Sequence, residues 1–253
     1  MKWSYGLITT SSRDVIKPIE QLRKAGFDKP HVFVDSVVPH SGRYYQLGLD
    51  VTIRFPPAKV TGNTICALNE LFYRNPWAER YALFQDDILC CKNIRHYLEA
   101  LDWPEDRAYL NLYTFPCNYD LKPTEDHTGL YKSDQMGRGA LGLVFNRLSL
   151  SLLLTSDHLL FHRACRGTKN PSSGTRYIGH KCVDGAISGA MKACGAKEYV
   201  HSPSLLQHTG KISSSENYPQ PDAPDFPGED FDCMRLGKKG VFDNAYNEKQ
   251  ENL

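Results

Sequence analysis

The stretch Tyr81-Ala82-Leu83-Phe84-Gln85-Asp86-Asp87-Ile88-Leu89 constrains the fold most. An apolar run with an aromatic at each end leads into two adjacent carboxylates. Such a run predicts a buried strand. Burying two acids is costly unless a cation is near, and ligands of open α/β sheets bind outside the carboxyl ends of strands. Two readings follow. One is a hard divalent metal held by Asp87, with Asp86 as a second candidate, that neutralises a phosphate-bearing ligand. The other is an acidic turn after a strand.

The flanking pattern predicts alternating strands and helices. Trp3 to Thr9 reads as a strand, followed by the polar loop Thr9-Thr10-Ser11-Ser12-Arg13. A helix with Pro18 in its first turn and Gly26 as its stop comes next, then the strand His31-Val32-Phe33-Val34-Asp35. This unit lacks the G-x-G-x-x-G phosphate loop, which disfavours a dinucleotide fold. Val51 to Phe55 is a third strand, Gly62 to Tyr73 a helix with Ile65, Leu68, Leu71 and Phe72 on one face, Asn93 to Leu101 a helix, and Tyr109 to Tyr113 a strand. The alternation argues for a mostly parallel sheet.

Beyond residue 115 the order changes. Residues 116–139 read as loop, Leu141 to Phe145 as a strand, Leu148 to Leu154 and Val183 to Cys194 as helices, and Glu198 to Val200 as a short strand. Residues 165–181, rich in Gly, Ser, Lys and Arg, read as a long functional loop, and His201 to Ser215 as a polar loop. From Glu216 a Pro/Asp-rich tail offers little core. The expected organisation is one domain over 1–215, with a nucleotide-binding half (1–115) and an acceptor-side half (116–215), and a tail over 216–253.

Composition narrows the classes. With 253 residues and 41% hydrophobic content the chain suits one large α/β domain. A net charge of +1 gives no argument for a general polyanion-binding surface. No apolar run approaches the roughly 20 residues that span a bilayer, and no signal-peptide pattern opens the chain. The expectation is a soluble, cytoplasmic protein without a membrane partner. The eight cysteines lack zinc-knuckle spacing, and read mainly as reduced core residues.

Two further features bear on the metal reading. Asp184, in Val183-Asp184-Gly185, opens a helix; it is either a general base or a helix cap. His208, in Pro203-Ser204-Leu205-Leu206-Gln207-His208-Thr209-Gly210, is either a ligand or a hydrogen-bonded loop histidine. A carboxylate pair with a distant His is a reasonable set for Mn²⁺ or Mg²⁺.

Taken together, the D-D pair at a strand end, the G-A-L-G-L-V-F-N-R segment, the Asp-led helix and P-S-L-L-Q-H-T-G-K-I-S-S resemble the GT-A glycosyltransferases that use nucleotide sugars. The chain is most similar to their inverting, metal-dependent N-acetylglucosaminyltransferase-like branch. The resemblance covers roughly Trp3 to Ser215. It implies a Rossmann-like, mixed and mostly parallel α/β sheet flanked by helices, Mn²⁺ or Mg²⁺, and a nucleotide-sugar donor, a UDP-sugar foremost. It implies Asp87 and His208 as metal ligands and Asp184 as catalytic base. Thr10, Arg13, Asp35, Asp86, Lys211, Ser213 and Ser214 would bind the donor, and Arg138, Gly139 and Ala140 would line the acceptor side. Gln85 stands where the family often has Glu.

The resemblance implies an acceptor hydroxyl but does not name its carrier. The basic loop with Arg163, Arg166, Lys169, Arg176, His180 and Lys181 is either a lid over the donor diphosphate or a seat for a phosphate backbone; Arg138, Tyr131 and Tyr177 share its half. A compact domain of this kind is similar to virus-encoded transferases that glycosylate hydroxymethylated DNA bases, so the acceptor candidates are a glycan and a modified DNA base reached by flipping. The competing classes are a nucleotidyltransferase and a non-catalytic nucleotide- or sugar-binding protein.

Overall fold

The structure is a computed structural model, and it describes residues 1–38, 44, 46–160, 183–209 and 221–236. Its centre is an eight-stranded sheet. In chain order the strands are β1 (Trp3–Thr10), β2 (His31–Asp35), β3 (Val51–Arg54), β4 (Arg80–Gln85), β6 (Ala108–Asn111), β7 (Gly129–Lys132), β8 (Gly142–Asn146) and β9 (Lys197–Ser202), and their spatial order is β3-β2-β1-β4-β8-β6-β9-β7. Strands β3, β2, β1 and β4 pair in parallel. β8 runs antiparallel between β4 and β6, and β7 runs antiparallel on β9. The sheet is therefore mixed and mostly parallel, as expected. It is also continuous across residue 115, because β8 inserts between two strands of the first half.

Successive side chains along a strand point to opposite faces, and the core divides accordingly. Leu7, Val32, Val34, Ala82 and Phe84 join Ile19 and Leu22 of α1 (Ile16–Lys24) and Ile94, Tyr97 and Leu98 of α3 (Ile94–Ala100). Ile8, Phe33, Tyr81 and Leu83 join Ala67, Leu68 and Leu71 of α2 (Lys59–Arg74). That second cluster also takes in Leu150 and Leu153 of α5 (Arg147–Leu154) and Ala186, Ile187 and Ala190 of α7 (Val183–Ala193). Helices thus cover both faces, which is why the central strands read as near-continuous apolar runs. The described residues also include the short helices α4 (Pro116–Tyr119) and α6 (Asp157–Leu160). Among the described residues, no helix is long and apolar enough to cross a membrane.

The strand expected ahead of the acid pair is β4, which stops at Gln85, and β5 (Ile88–Cys90) joins a second, two-stranded sheet with β10 (Leu206–His208). The acid pair occupies the break, where neither residue is held in a ladder. The region 201–215, read as loop, contains the end of β9 and all of β10, and the region 116–139 contains β7. Residues 221–236 do offer core. Cys233 and Ala223 are buried, and Phe226, Phe231 and Leu236 pack against the same cluster as α1 and α3. Polar contacts fix this segment as well. Asp225 accepts from Ser202 Oγ at 2.8 Å and from the Ser204 N–H at 3.0 Å. A Pro/Asp-rich stretch carries so weak a periodicity that its few apolar anchors go unread.

Candidate active site

The carboxyl ends of β1 and β4 lie side by side, with Ile8 opposite Gln85. This pairing brings the first loop onto the acid pair. Thr9 Oγ1 donates to Asp86 Oδ2 at 2.6 Å. Arg13 Nη1 bonds Asp86 Oδ1 and lies 3.3 Å from Asp87 Oδ2. The Arg13 guanidinium is the cation that two buried acids require. The Asp86 side chain is only 6% exposed. Burial pushes its carboxyl above the usual range against the Thr9 hydrogen bond and the Arg13 charge. The two carboxylates in turn raise Arg13 further against its own desolvation.

Asp87 has a different environment. Antiparallel pairing of β5 and β10 sets His208 opposite Ile88, the residue after Asp87. His208 Nε2 consequently lies 3.2 Å from Asp87 Oδ2, and the Thr209 N–H donates to the Asp87 carbonyl at 2.9 Å. Burial would raise the Asp87 carboxyl, but the His208 hydrogen bond and charge, with Arg13, outweigh it and hold it below the usual range. Its second oxygen, Oδ1, is buried without a hydrogen-bond partner among the described residues. An orphaned carboxylate oxygen in a buried site is expensive, and a cation would satisfy it.

Among the described residues, no group of three or more His, Cys, Asp and Glu side chains is placed to hold a metal. The candidate donors among the described residues are one carboxylate and one imidazole. That fits a Mg²⁺- or Mn²⁺-type site in which substrate phosphates and water supply the remaining oxygens, and does not fit an all-protein cage.

Asp184 stands in the first turn of α7. Its Oδ2 accepts from the backbone N–H groups of Gly139 (2.9 Å) and Ala140 (3.2 Å), so the expected base and the expected acceptor-side segment meet. Glycines permit the approach. A Cβ on Gly137 would stand 2.5 Å from Gly185 Cα, and one on Gly139 2.4 Å from Tyr113 Cδ1; both glycines have positive φ, +69° and +71°. Arg138 packs its guanidinium 5.7 Å from the Phe115 ring centre and lies 3.7 Å from Asp134.

The other expected residues are placed as follows. Asp35 Oδ1 and Oδ2 accept from the Ala58 and Lys59 N–H groups at 2.6 and 2.8 Å, so both oxygens serve the start of α2. Thr10 Oγ1 is 2.9 Å from Ser12 Oγ, and the Thr10 carbonyl accepts from Tyr44 Oη at 3.1 Å. Lys211, Ser213 and Ser214 lie outside the described residues, as do the basic loop 163–181 and Tyr177. Tyr131 is buried in β7 and donates to the Asn118 carbonyl at 3.1 Å, so it offers no stacking surface.

Sequence reasoning missed Thr9, the role of Gln85, and Asn111. Gln85 Nε2 donates to the Ala140 carbonyl at 2.9 Å. Asn111 Nδ2 donates to the Arg138 carbonyl at 3.0 Å and to Glu198 Oε1 at 3.2 Å. A polar residue inside an apolar strand was the available signal for Asn111, because buried amides are retained where they are bonded.

No family model and no curated protein matches this sequence. Solved structures do. GalNAc-T7 with UDP, GalNAc and Mn²⁺ matches with a TM-score of 0.53 at 11% identity, over 87% of this chain and 45% of that one. Mannose-1-phosphate geranyltransferase from Thermus thermophilus matches with a TM-score of 0.49 at 14% identity, over 79% of this chain and 74% of that one. At 11% identity the likeness to GalNAc-T7 concerns the fold alone: a mixed α/β, GT-A-like architecture.

Proposed function

We propose that the chain is a metal-dependent inverting glycosyltransferase that moves a sugar from a UDP-sugar to an acceptor hydroxyl. The observation that carries this reading is the convergence of Asp87 and His208 at the carboxyl end of β4, with Asp87 Oδ1 left orphaned. A divalent cation bound there would neutralise charge building on the diphosphate leaving group. The GT-A-like fold, shared with a structure that holds UDP and Mn²⁺, supports the same reading. The closer affinity to the N-acetylglucosaminyltransferase-like branch rests on the sequence resemblance.

The chain's own residues divide the work. Asp87 and His208 would hold the cation. Arg13, already at the acid pair, brings positive charge to the diphosphate side. Asp86, locked by Thr9 and Arg13, forms the floor against the donor. Asp184 takes the proton of the acceptor hydroxyl as that oxygen bonds to the anomeric carbon. The bond from that carbon to the diphosphate oxygen breaks, and its electron pair leaves with the nucleoside diphosphate. One displacement at one carbon inverts its configuration. The N–H donors of Gly139 and Ala140 orient the Asp184 carboxylate. The acceptor is a hydroxyl on a glycan or on a hydroxymethylated DNA base, and product analysis with each distinguishes them.

Calorimetric titration with UDP tests the binding half of this reading. UDP should bind in the presence of Mn²⁺ and lose that affinity with EDTA or in Asp87→Ala. Equal affinity with and without metal would refute the cation's role.

A further inference from the structure

The segment Arg138–Ala140 is held from two sides. On one side Gln85, the last residue of β4, donates its Nε2 to the Ala140 carbonyl at 2.9 Å. On the other, Asn111, the last residue of β6, donates its Nδ2 to the Arg138 carbonyl at 3.0 Å. The two N–H groups that reach Asp184 belong to Gly139 and Ala140, between those two carbonyls. Lower down, Ser188 Oγ of α7 donates to the Gln135 carbonyl at 2.6 Å. Each peptide carbonyl that an amide side chain grips is thus adjacent to a peptide N–H that faces Asp184.

We infer that Gln85 and Asn111 are positioning residues: they clamp the Arg138–Ala140 segment so that its N–H groups hold the Asp184 carboxylate in its working orientation. The inference rests on Asp184 being the base. It also accounts for Gln at position 85. A carbonyl needs a donor, and a glutamate there would set an acceptor-only carboxylate against the Ala140 oxygen. Gln85 and Ala140 line a small cavity with Ile8, Leu68, Leu83 and Val183, whose walls would solvate such a carboxylate poorly. Residue 85 thereby makes a structural bond within the site.

Two near-isosteric variants of the full chain test the clamp. Gln85→Glu reverses the hydrogen-bonding character of the side chain, and Gln85→Met removes it without charge. Hydrogen exchange of the Gly139 and Ala140 amides should quicken about tenfold in both, as one buried bond is lost. Donor KM should stay at the parent value while kcat falls about 10- to 100-fold, the usual cost of a misplaced catalytic group. Parent-like exchange at both amides would overturn the clamp. So would a Gln85→Glu variant that keeps kcat and changes donor KM, since residue 85 would then contact the sugar. A parent chain that releases no nucleoside diphosphate would end the transferase reading, and the exchange comparison would still decide the clamp.

Discussion

His208 Nε2 stands 3.2 Å from Asp87 Oδ2 because β10 pairs with β5 immediately beyond the acid pair. The contact is a product of register. Ile88 faces His208, Leu89 faces Gln207 and Cys90 faces Leu206, so a slip of one residue would turn the imidazole away. Gln207 Oε1 also accepts from the Ala223 N–H at 3.0 Å, which ties the 221–236 segment to the same ladder.

This geometry makes a prediction for Asp87→Ala. The substitution removes the orphaned oxygen and a partner of His208 together. Mn²⁺ should raise the thermal midpoint of the parent and leave that of the variant unmoved, because only a bound ion stabilises by mass action. Differential scanning fluorimetry with and without Mn²⁺ makes the comparison.

Asp184→Asn should separate binding from turnover. The Asn carbonyl oxygen can still accept from Gly139 and Ala140, so the segment stays in place, but it cannot take a proton at neutral pH. Transfer should fall about 10²- to 10⁴-fold, the range for loss of a general base, with UDP affinity unchanged by calorimetry.

Glu198 should make stability depend on pH. It is buried in β9, accepts from Ser133 Oγ at 2.5 Å and from Asn111 Nδ2 at 3.2 Å, and burial pushes its carboxyl from 4.5 up to about 7. Between those two values the unfolded chain has released a proton that the folded chain keeps. Stability therefore falls as pH rises through that window and levels off above it, by about 3 kcal/mol in all. Glu198→Gln should remove this slope and unfold at higher urea than the parent near about pH 8, with the gain gone near about pH 4.

Asp225→Ala tests whether residues 221–236 belong to the folded unit. The change removes the acceptor of Ser202 Oγ and of the Ser204 N–H. Leaving those donors unpaired should cost about 1–3 kcal/mol in urea unfolding, in one transition shared with the rest of the chain.

Much of this architecture is legible in the sequence, for identifiable reasons. The strands His31–Asp35 and Trp3–Thr10 stand out because both of their faces are buried, and helix α2 because Leu68 and Leu71 recur at helical spacing. The acid pair stands out in the sequence, but its geometry does not. The break after Gln85 depends on β5 leaving for a second sheet, a long-range pairing with no local mark. Gln85 illustrates the limit best. Its side chain bonds a carbonyl 55 residues away, a contact that no local pattern announces. Asp35, a strand-end acid, accepts with both oxygens from the Ala58 and Lys59 N–H groups at the start of α2, a contact with no local mark in the sequence.

The most direct test of the central claim is release of nucleoside diphosphate from a panel of nucleotide sugars by the full chain with Mn²⁺. The account predicts release from one donor, a UDP-sugar, suppressed by EDTA, by Asp87→Ala and by Asp184→Asn. No release from any donor, or release that both variants retain at the parent rate, would contradict it.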